Sequence, residues 1–248
     1  MLNLLHHLQE TLMPKAGFAV LIGRSNVGKS TLMNTLIGSK IAITTPKPQT
    51  TRLPIQGILT IEDSQLIFVD TPGVLKGQKD PLSKALARSV TEALSDVDIV
   101  VYVVDPTREI GNEERSVMNV VEQLSIPKVL VINKMDLKQK PFLEFYQDLA
   151  EQFETHVELS ALNGTHVGRL KEILLNLLPD GEFLYPVGQL TNMPNKFWLA
   201  ELIREKLFLR LRQEVPYSTH VEVTEVEERK NGMQYVAATI FTTDDRYK

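Results

Sequence analysis

Runs of apolar residues alternate with helical segments over the first 180 or so residues of the chain. The runs are rich in Val and Ile, and several are apolar at nearly every position, which is typical of strands that are covered on both faces. The pattern predicts strands at 18–23, 65–70, 98–105, 128–133 and 156–160, and helices near 29–38, 82–95, 112–124, 142–154 and 168–178.

One further apolar run, 55–61, precedes 65–70 with no helical segment between them. Two strands joined by so short a connection pair as an antiparallel hairpin. We therefore expect an α/β fold with a mostly parallel sheet and one antiparallel edge strand.

The pattern changes after a segment rich in Pro and Gly, which predicts a linker. A helix is predicted at 195–214 from the spacing of Ala200, Ile203, Leu207 and Leu211. Two strands then flank Asn231-Gly232, a strong hairpin signal. The expected division is an N-terminal extension over 1–16, a first domain over 17–180, a linker over 181–192 and a smaller α+β unit over 193–248.

Composition narrows the class of protein. Of the 248 residues, 43% are hydrophobic, the formal net charge is −4, and there is no cysteine. Disulfides, thiolate metal sites and cysteine nucleophiles are excluded, and a reducing cytosol is the natural setting. The N-terminal residues predict a short amphipathic helix rather than a membrane anchor, and no apolar run is long enough to span a bilayer.

The stretch GRSNVGKST, 23–31, lies between the first predicted strand and the first predicted helix. Backbone amides of such a loop can surround a phosphate at the start of a helix, where Gly28 permits close approach. Lys29 would bridge the β- and γ-phosphates, and the Ser30 hydroxyl would bind Mg²⁺. The alternative is a glycine loop that merely turns the chain, and the strand–loop–helix context disfavours it.

Three further motifs follow strands in the order that a nucleotide requires: DTPG at 70–73, NKMD at 133–136 and SAL at 160–162. The Asp70 carboxylate could hold Mg²⁺ through water, and the Gly73 amide could reach a γ-phosphate. A turn-forming residue at the strand end is the alternative for Asp70. Together the motifs predict a ligand site at the carboxyl ends of parallel strands.

The NKMD motif predicts a preference for guanine. The Asp136 carboxylate can accept hydrogen bonds from N1–H and the N2 amino group of guanine, a donor pair that adenine lacks. Asn133 would brace the loop and contact N7, the Lys134 stem would lie over the base, and the Ala161 amide would meet O6. The predicted nucleotide-binding residues are Gly23, Asn26, Val27, Gly28, Lys29, Ser30, Thr31, Asp70, Thr71, Pro72, Gly73, Asn133, Lys134, Met135, Asp136, Ser160, Ala161 and Leu162.

These motifs carry a resemblance. The first 180 or so residues resemble a translation-factor-type P-loop GTPase domain, and GRSNVGKSTLMN, KPQTTR and DTPG together resemble the Era family. The stretch IREKLFLRLRQEVPYSTHVEV is similar to the entry of Era proteins into a KH-type RNA-binding domain. The resemblance implies a GTPase of small-ribosomal-subunit assembly that binds small-subunit rRNA. It also implies a cytoplasmic protein with peripheral contact at the inner membrane face, and we expect a monomer.

Two departures from the family pattern affect function. The resemblance implies a GxxG loop that clamps RNA backbone, and the sequence to Lys248 contains only the opening helix and hairpin of a KH unit. We therefore expect weak RNA binding and poor protection of Val221, Val223, Val236 and Ile240, unless this unit packs against the first domain or a second chain. The predicted helix is locally basic, through Lys196, Arg204, Lys206, Arg210 and Arg212, and a solvated face explains that equally well.

The second departure concerns catalysis. Val74 stands where Ras-type enzymes place a water-orienting glutamine. The resemblance implies that backbone groups of the 45–55 segment and a K⁺ ion near Asn26 act instead. Thr50 and Thr51 are candidate contacts to the γ-phosphate and Mg²⁺, and Thr51 is preferred. The predicted catalytic residues are Lys29, Thr51, Gly73 and Asn26, and the predicted metal ligands are Ser30, Thr51 and Asp70.

Three functions remain open from the sequence. The first is a GTP-hydrolysing switch whose C-terminal segment binds rRNA. The second is a GTPase whose C-terminal segment docks on protein or membrane. The third is a guanine-nucleotide sensor that does not hydrolyse GTP, which the valine at position 74 would explain.

Overall fold

The computed structural model describes residues 13–45, 50–51, 54–71, 97–211 and 219–242. The predicted helix at 82–95 lies outside the described residues, as do most of the N-terminal extension and the tail beyond 242.

A six-stranded sheet in the order β2-β3-β1-β4-β5-β6 forms the larger part of the structure. Strand β2 pairs antiparallel with β3, and every other neighbouring pair is parallel. The predicted α/β class and antiparallel edge strand are confirmed. The strands are β1 Lys15–Ile22, β2 Ile55–Ile61, β3 Ser64–Asp70, β4 Ile99–Val104, β5 Lys128–Ile132 and β6 Thr155–Glu158.

Helices cover both faces of this sheet and bury its Val and Ile side chains in two clusters. Helices α1 and α4 pack on one face, and α2 and α3 pack on the other. All six residues of β4 are buried, as the continuous apolar run predicts. The helices are α1 Lys29–Ile37, α2 Asn112–Glu122, α3 Leu143–Ala150 and α4 Val167–Asn176.

The helix ends follow local signals. Gly38, with φ of 76°, ends α1 by donating its amide to the Asn34 carbonyl oxygen at 2.9 Å. Helix α3 ends at Ala150, short of the predicted residue 154, because the chain leaves the helical ladder in turns at Glu151 and Gln152. The parallel register aligns Leu21 of β1 with Asp70 of β3, so the strand ends and the loops that follow them lie side by side.

The predicted linker lies on the β2–β3 hairpin. Gln65 is fully buried, and its Oε1 accepts the backbone amides of Leu184 and Tyr185 at 2.8 and 2.9 Å. The Tyr185 hydroxyl donates to Gln56 at 2.7 Å, and the Thr191 hydroxyl donates to the Gln56 carbonyl at 2.7 Å. The segment is thus fixed to the hairpin by a buried amide, although Gly and Pro alone suggest a loose connection.

The C-terminal unit contains α5 Asn195–Arg210 and a two-stranded sheet of β7 Thr219–Glu228 and β8 Gln234–Thr242. Asn231-Gly232 lies in the connection, where Gly232 has φ of 77°, so the predicted hairpin is confirmed. The predicted helix is too long, since Leu211 is already extended and 212–214 lie outside the described residues. The arrangement is consistent with the predicted KH-like part.

One face of the hairpin is covered by α5. Val221 and Val223 are only 5% and 6% exposed, since they pack against Ala200. The expectation of poor protection is therefore wrong for these two residues, because the helix supplies the missing cover. Ile240 is 50% exposed, as the expectation of poor protection requires.

Candidate functional site

The phosphate loop, Gly23–Ser30, connects β1 to α1. Asn26 and Gly28 have φ of 61° and 103°, in the left-handed region. A Cβ atom on Gly28 would lie 2.3 Å from Nδ2 of Asn133, and one on Gly23 would lie 2.4 Å from the Val103 carbonyl oxygen. Both glycines are therefore required by close packing as well as by conformation.

The Lys29 ammonium points back into the loop. Its Nζ donates to the Gly23 and Arg24 carbonyl oxygens at 2.9 and 3.1 Å. Burial lowers the pKa of Lys29 below its ordinary value, and the nearby Asp70 charge opposes that shift. The loop thus keeps a cation at its centre, where phosphate groups would sit.

Ser30, Thr51 and Asp70 converge beside the loop. Ser30 Oγ lies 2.5 Å from Asp70 Oδ2 and 3.0 Å from Thr51 Oγ1, and Thr51 Oγ1 lies 3.3 Å from the same carboxylate oxygen. Burial raises the pKa of Asp70, against the opposing effects of Lys29 and the two hydroxyls. The predicted metal-binding residues are therefore brought together from α1, the segment before β2, and β3.

This oxygen-rich group fits a hard divalent cation. One carboxylate and two hydroxyls are ligands that Mg²⁺ accepts. Asp70 is fully buried, and within the described residues its Oδ1 has no hydrogen-bond partner. A cation at this point would pair the carboxylate that burial otherwise disfavours.

The rest of the DTPG motif is only partly described. Thr71 is buried, and its hydroxyl donates to the Leu21 carbonyl at 2.8 Å, so its side chain joins β3 to β1. Pro72, Gly73 and Val74 lie outside the described residues. The predicted catalytic roles of Gly73 and of position 74 stay predictions.

The NKMD and SAL motifs lie together beyond β5 and β6. Asn133 is buried, donates to the Val27 carbonyl at 2.8 Å and accepts the Ala161 amide at 2.9 Å. Asp136 Oδ1 accepts the Ser160 hydroxyl at 2.6 Å. Asn133 thus braces three loops, as its predicted role requires.

Asp136 lies at a cavity of about 280 Å³. Its lining residues are Met135, Asp136, Glu158, Ser160, Asn163, Thr165 and His166. Leu162 is 75% exposed at the end of the SAL motif, which leaves its side chain outside this cavity. A second cleft of about 60 Å³ is lined by residues of the phosphate loop, by Thr31, and by Ile43, Thr44, Thr45, Thr50 and Thr51.

Helix α5 contacts the segment that carries Thr51. Arg204 Nη2 donates to the Thr50 carbonyl at 2.7 Å, and Glu205 Oε1 accepts the Thr44 amide at 3.0 Å. Glu205 also pairs with Lys40 at 2.5 Å. Arg204 and Glu205 are 3% and 2% exposed, so a solvated face is the wrong interpretation for Arg204.

Sequence reasoning missed the groups that support the site. In the sequence, nothing distinguishes Arg204 and Glu205 from the other charged residues of their helix, because the segment that buries them is more than a hundred residues away. Arg24, Glu113 and Glu114 were also missed. The signal that could have identified Arg24 is its place directly after the first glycine of the loop, where an arginine has no role in binding the ligand.

In the described residues, no group of three or more His, Asp or Glu side chains could hold a metal. No described helix is both long enough and apolar enough to cross a membrane.

Comparison with known proteins agrees with the nucleotide-binding geometry of the site. A family described as 50S ribosome-binding GTPase matches residues 18–134. The chain is similar to GTPase Era of Carboxydothermus hydrogenoformans, with 41% identity over 94% of this chain and 80% of that protein. It is 43% identical to GTPase Era of Lactobacillus delbrueckii subsp. bulgaricus over 94% of this chain and 78% of that protein.

Comparison with solved structures gives the same family. The fold is similar to that of Era in complex with MgGDPNP and nucleotides 1506–1542 of 16S ribosomal RNA, with a TM-score of 0.86 and 31% identity, over 95% of this chain and 81% of that chain. Aquifex aeolicus Era bound to GDP.AlF4⁻ also matches with a TM-score of 0.86 and 31% identity, over 94% of this chain and 81% of that chain.

Proposed function

Because this chain belongs to the Era family of GTPases, we propose that it is a GTP-hydrolysing switch in assembly of the small ribosomal subunit. The convergence of Ser30, Thr51 and Asp70 beside the phosphate loop is the observation that carries the enzymatic part. The crystallised relative that binds 16S ribosomal RNA supports the RNA part.

The phosphate loop would bind the β-phosphate through its backbone amides, and Lys29 would contact the β- and γ-phosphates. Ser30, Thr51 and Asp70 would hold Mg²⁺. When bound, Mg²⁺ neutralises charge that develops on the phosphate oxygens during transfer. Thr51 comes from a separate segment, so its position beside Ser30 couples that segment to the γ-phosphate end of the nucleotide.

Guanine would enter the cavity at Asp136. The Ser160 hydroxyl already holds one carboxylate oxygen of Asp136, which orients the other toward the base. Asn133 ties this loop to the phosphate loop and the SAL motif, so base and phosphate contacts share one frame. The remaining predicted nucleotide contacts, among them Thr31, Pro72, Gly73 and Leu162, are proposed on the motifs alone.

We further propose that a K⁺ ion near Asn26 provides the positive charge that a Ras-type enzyme receives from an arginine finger. Asn26 lines the cleft beside the phosphate loop, which supports this proposal. We also propose that the first domain ends at 180 and that the second begins at 193. The proposed rRNA partner implies a cytoplasmic protein, and any membrane contact would be peripheral.

Single-turnover hydrolysis of GTP tests the enzymatic proposal. The wild-type chain should hydrolyse GTP in Mg²⁺ and lose activity with a chelator. Thr51→Ala should reduce the rate by about 100-fold, the lower range for loss of one preorganised group at a transferring phosphoryl. Thr239→Ala, the same change at an exposed position of β8, is the matched control. Binding of GTP without hydrolysis would favour the nucleotide sensor.

RNA binding is tested separately, by fluorescence anisotropy with 3′-end small-subunit RNA and a scrambled RNA of equal length. Preference for the authentic sequence, with affinity that falls as salt rises, supports the RNA switch. Equal weak binding of both RNAs, with capture of the chain by anionic vesicles, would favour a membrane-docking C-terminal unit.

A further inference from the structure

The phosphate loop is held from outside at several consecutive residues. The Ser25 amide donates to Glu113 Oε1 at 2.9 Å, and the Ser25 carbonyl accepts Arg108 Nη1 at 2.7 Å. Glu113 is in the first turn of α2, and Arg108 precedes that helix. Both polar groups of the Ser25 backbone are thus fixed by residues of the β4–α2 region.

Arg24 is held in the same region. It is 3% exposed, and its Nε lies 2.8 Å from Glu114 Oε2. Its Nη1 donates to the Glu109 carbonyl at 2.6 Å, and its Nη2 donates to the Arg108 carbonyl at 3.2 Å. The side chain points away from the cleft, so its contacts shape the back of the loop rather than the ligand side.

Glu114 is itself fixed to the sheet. It is fully buried, and its Oε1 accepts the Tyr102 hydroxyl of β4. Burial raises the pKa of Glu114, while the Tyr102 hydrogen bond and the Arg24 charge oppose that rise. A buried carboxylate with a guanidinium and a phenol as partners gives Arg24 one defined position.

The loop needs such support because its conformation is unfavourable alone. Asn26 has φ of 61°, which costs free energy for a residue with a Cβ atom. Contacts that fix the loop in this shape reduce the ordering cost of nucleotide binding.

We propose that Glu113 and Glu114 are positioning residues that hold the phosphate loop from α2 and so set the lifetime of bound guanine nucleotide. This inference rests on the proposed nucleotide site. Neither side chain lines the cleft, so their contacts act through Ser25 and Arg24, and their charges also act on the Lys29 ammonium at its centre.

Release of a fluorescent GDP analogue, measured by stopped flow, tests the inference on the full chain. Glu113→Ala removes the acceptor of the Ser25 amide and should speed release by about 10-fold, the effect of one lost charged hydrogen bond. Glu122→Ala makes the identical change at the exposed end of the same helix and should release GDP within about twofold of wild type.

A second variant keeps the test decisive for the buried pair. Glu114→Gln retains the shape and an oxygen acceptor but removes the charge that pairs with Arg24. It should also speed release, and the double variant with Arg24→Gln should show a non-additive effect. Should Glu114→Gln fail to fold, Arg108→Gln replaces it, because that change removes the other contact to Ser25 at a half-buried position.

The readouts separate positioning from general stability and from the proposed function. Positioning predicts faster release and a raised KM for GTP in Glu113→Ala, with its melting temperature close to that of Glu122→Ala. Release at the wild-type rate in both glutamate variants would overturn the inference. A wild-type chain that binds no GDP analogue would instead overturn the proposed nucleotide site.

Discussion

Asp105 and Lys134 form an ion pair, with 2.6 Å between Oδ2 and Nζ, at the point where β4 ends beside the NKMD motif. The same ammonium donates to the Asn26 carbonyl at 2.8 Å. Lys134 has φ of 63°, so a strained backbone presents this side chain to two loops. One cation therefore joins the end of β4, the guanine motif and the phosphate loop.

Asp105→Asn should weaken guanine-nucleotide binding. The amide keeps the shape of the side chain but leaves Lys134 without its fully buried anionic partner. Loss of one charged hydrogen bond costs about 1.5–3 kcal/mol, so GDP affinity should fall by at least about 10-fold. Calorimetric titration measures this, with Asp148→Asn on the exposed side of α3 as control. Unchanged affinity would mean that Lys134 is positioned without Asp105.

The same carboxylate should make folding stability depend on pH. Burial alone would raise the pKa of Asp105, but the hydrogen bonds from Lys134 and Thr107 outweigh it and hold the pKa below 3.8. The stabilising contribution is therefore fully present above 3.8 and is lost as pH falls through the lowered folded value. In urea unfolding, the stability difference between wild type and Asp105→Asn should be constant at neutral pH and shrink in acid. A constant difference throughout acid titration would contradict the pairing.

Asp136→Asn should change base preference from guanine toward xanthine. The carboxylate that would accept N1–H and the N2 amino group becomes an amide, whose N–H₂ matches the 2-oxo group of xanthine. GTP binding should weaken by at least about 1.5–3 kcal/mol, the range for one hydrogen bond to a charged group. A competition assay between GTP and xanthosine triphosphate measures the switch. Retained preference for GTP would mean that the NKMD loop is not the base-binding loop.

Hydrolysis should be faster in K⁺ than in Na⁺ at matched ionic strength. The reasons are that Asn26 lines the cleft beside the phosphate loop and that Val74 stands at the usual water-orienting position. Asn26→Ala should abolish the difference between the salts. Single-turnover rates decide this, and equal wild-type rates in the two salts would remove the K⁺ proposal.

Arg204→Gln should weaken binding of a GTP analogue more than binding of GDP. Arg204 holds the Thr50 carbonyl at 2.7 Å, and the adjacent Thr51 is the proposed ligand at the γ-phosphate end. Release of this contact should lower GTP-analogue affinity by about 10-fold, with GDP affinity within about twofold. Arg210→Gln, at an exposed position of the same helix, is the control. Equal losses for both nucleotides would show a general rather than a γ-phosphate effect.

Continuous apolar runs predicted the central strands β1, β3, β4 and β5, because burial on both faces leaves little else at those positions. The motifs predicted which loops meet, since parallel strands put their carboxyl ends on one edge. The side chains behind the site were not predictable in this way. Whether Glu114 or Arg204 is buried depends on partners that only the tertiary fold brings near. The spacing of apolar residues in a helix predicts its buried face, but it does not predict which charged residue will form a buried hydrogen bond.

The linker has a consequence for how the molecule behaves among its copies. Strand β2 is at one edge of the sheet, and such an edge offers unpaired amides and carbonyls to any extended chain that approaches. Here the Ile58 amide donates to the Leu190 carbonyl at 2.8 Å, and Gly57 pairs with Thr191. The segment that connects the two units thus also covers part of this edge. It therefore limits pairing of β2 with a strand of another copy, which is how sheet edges aggregate.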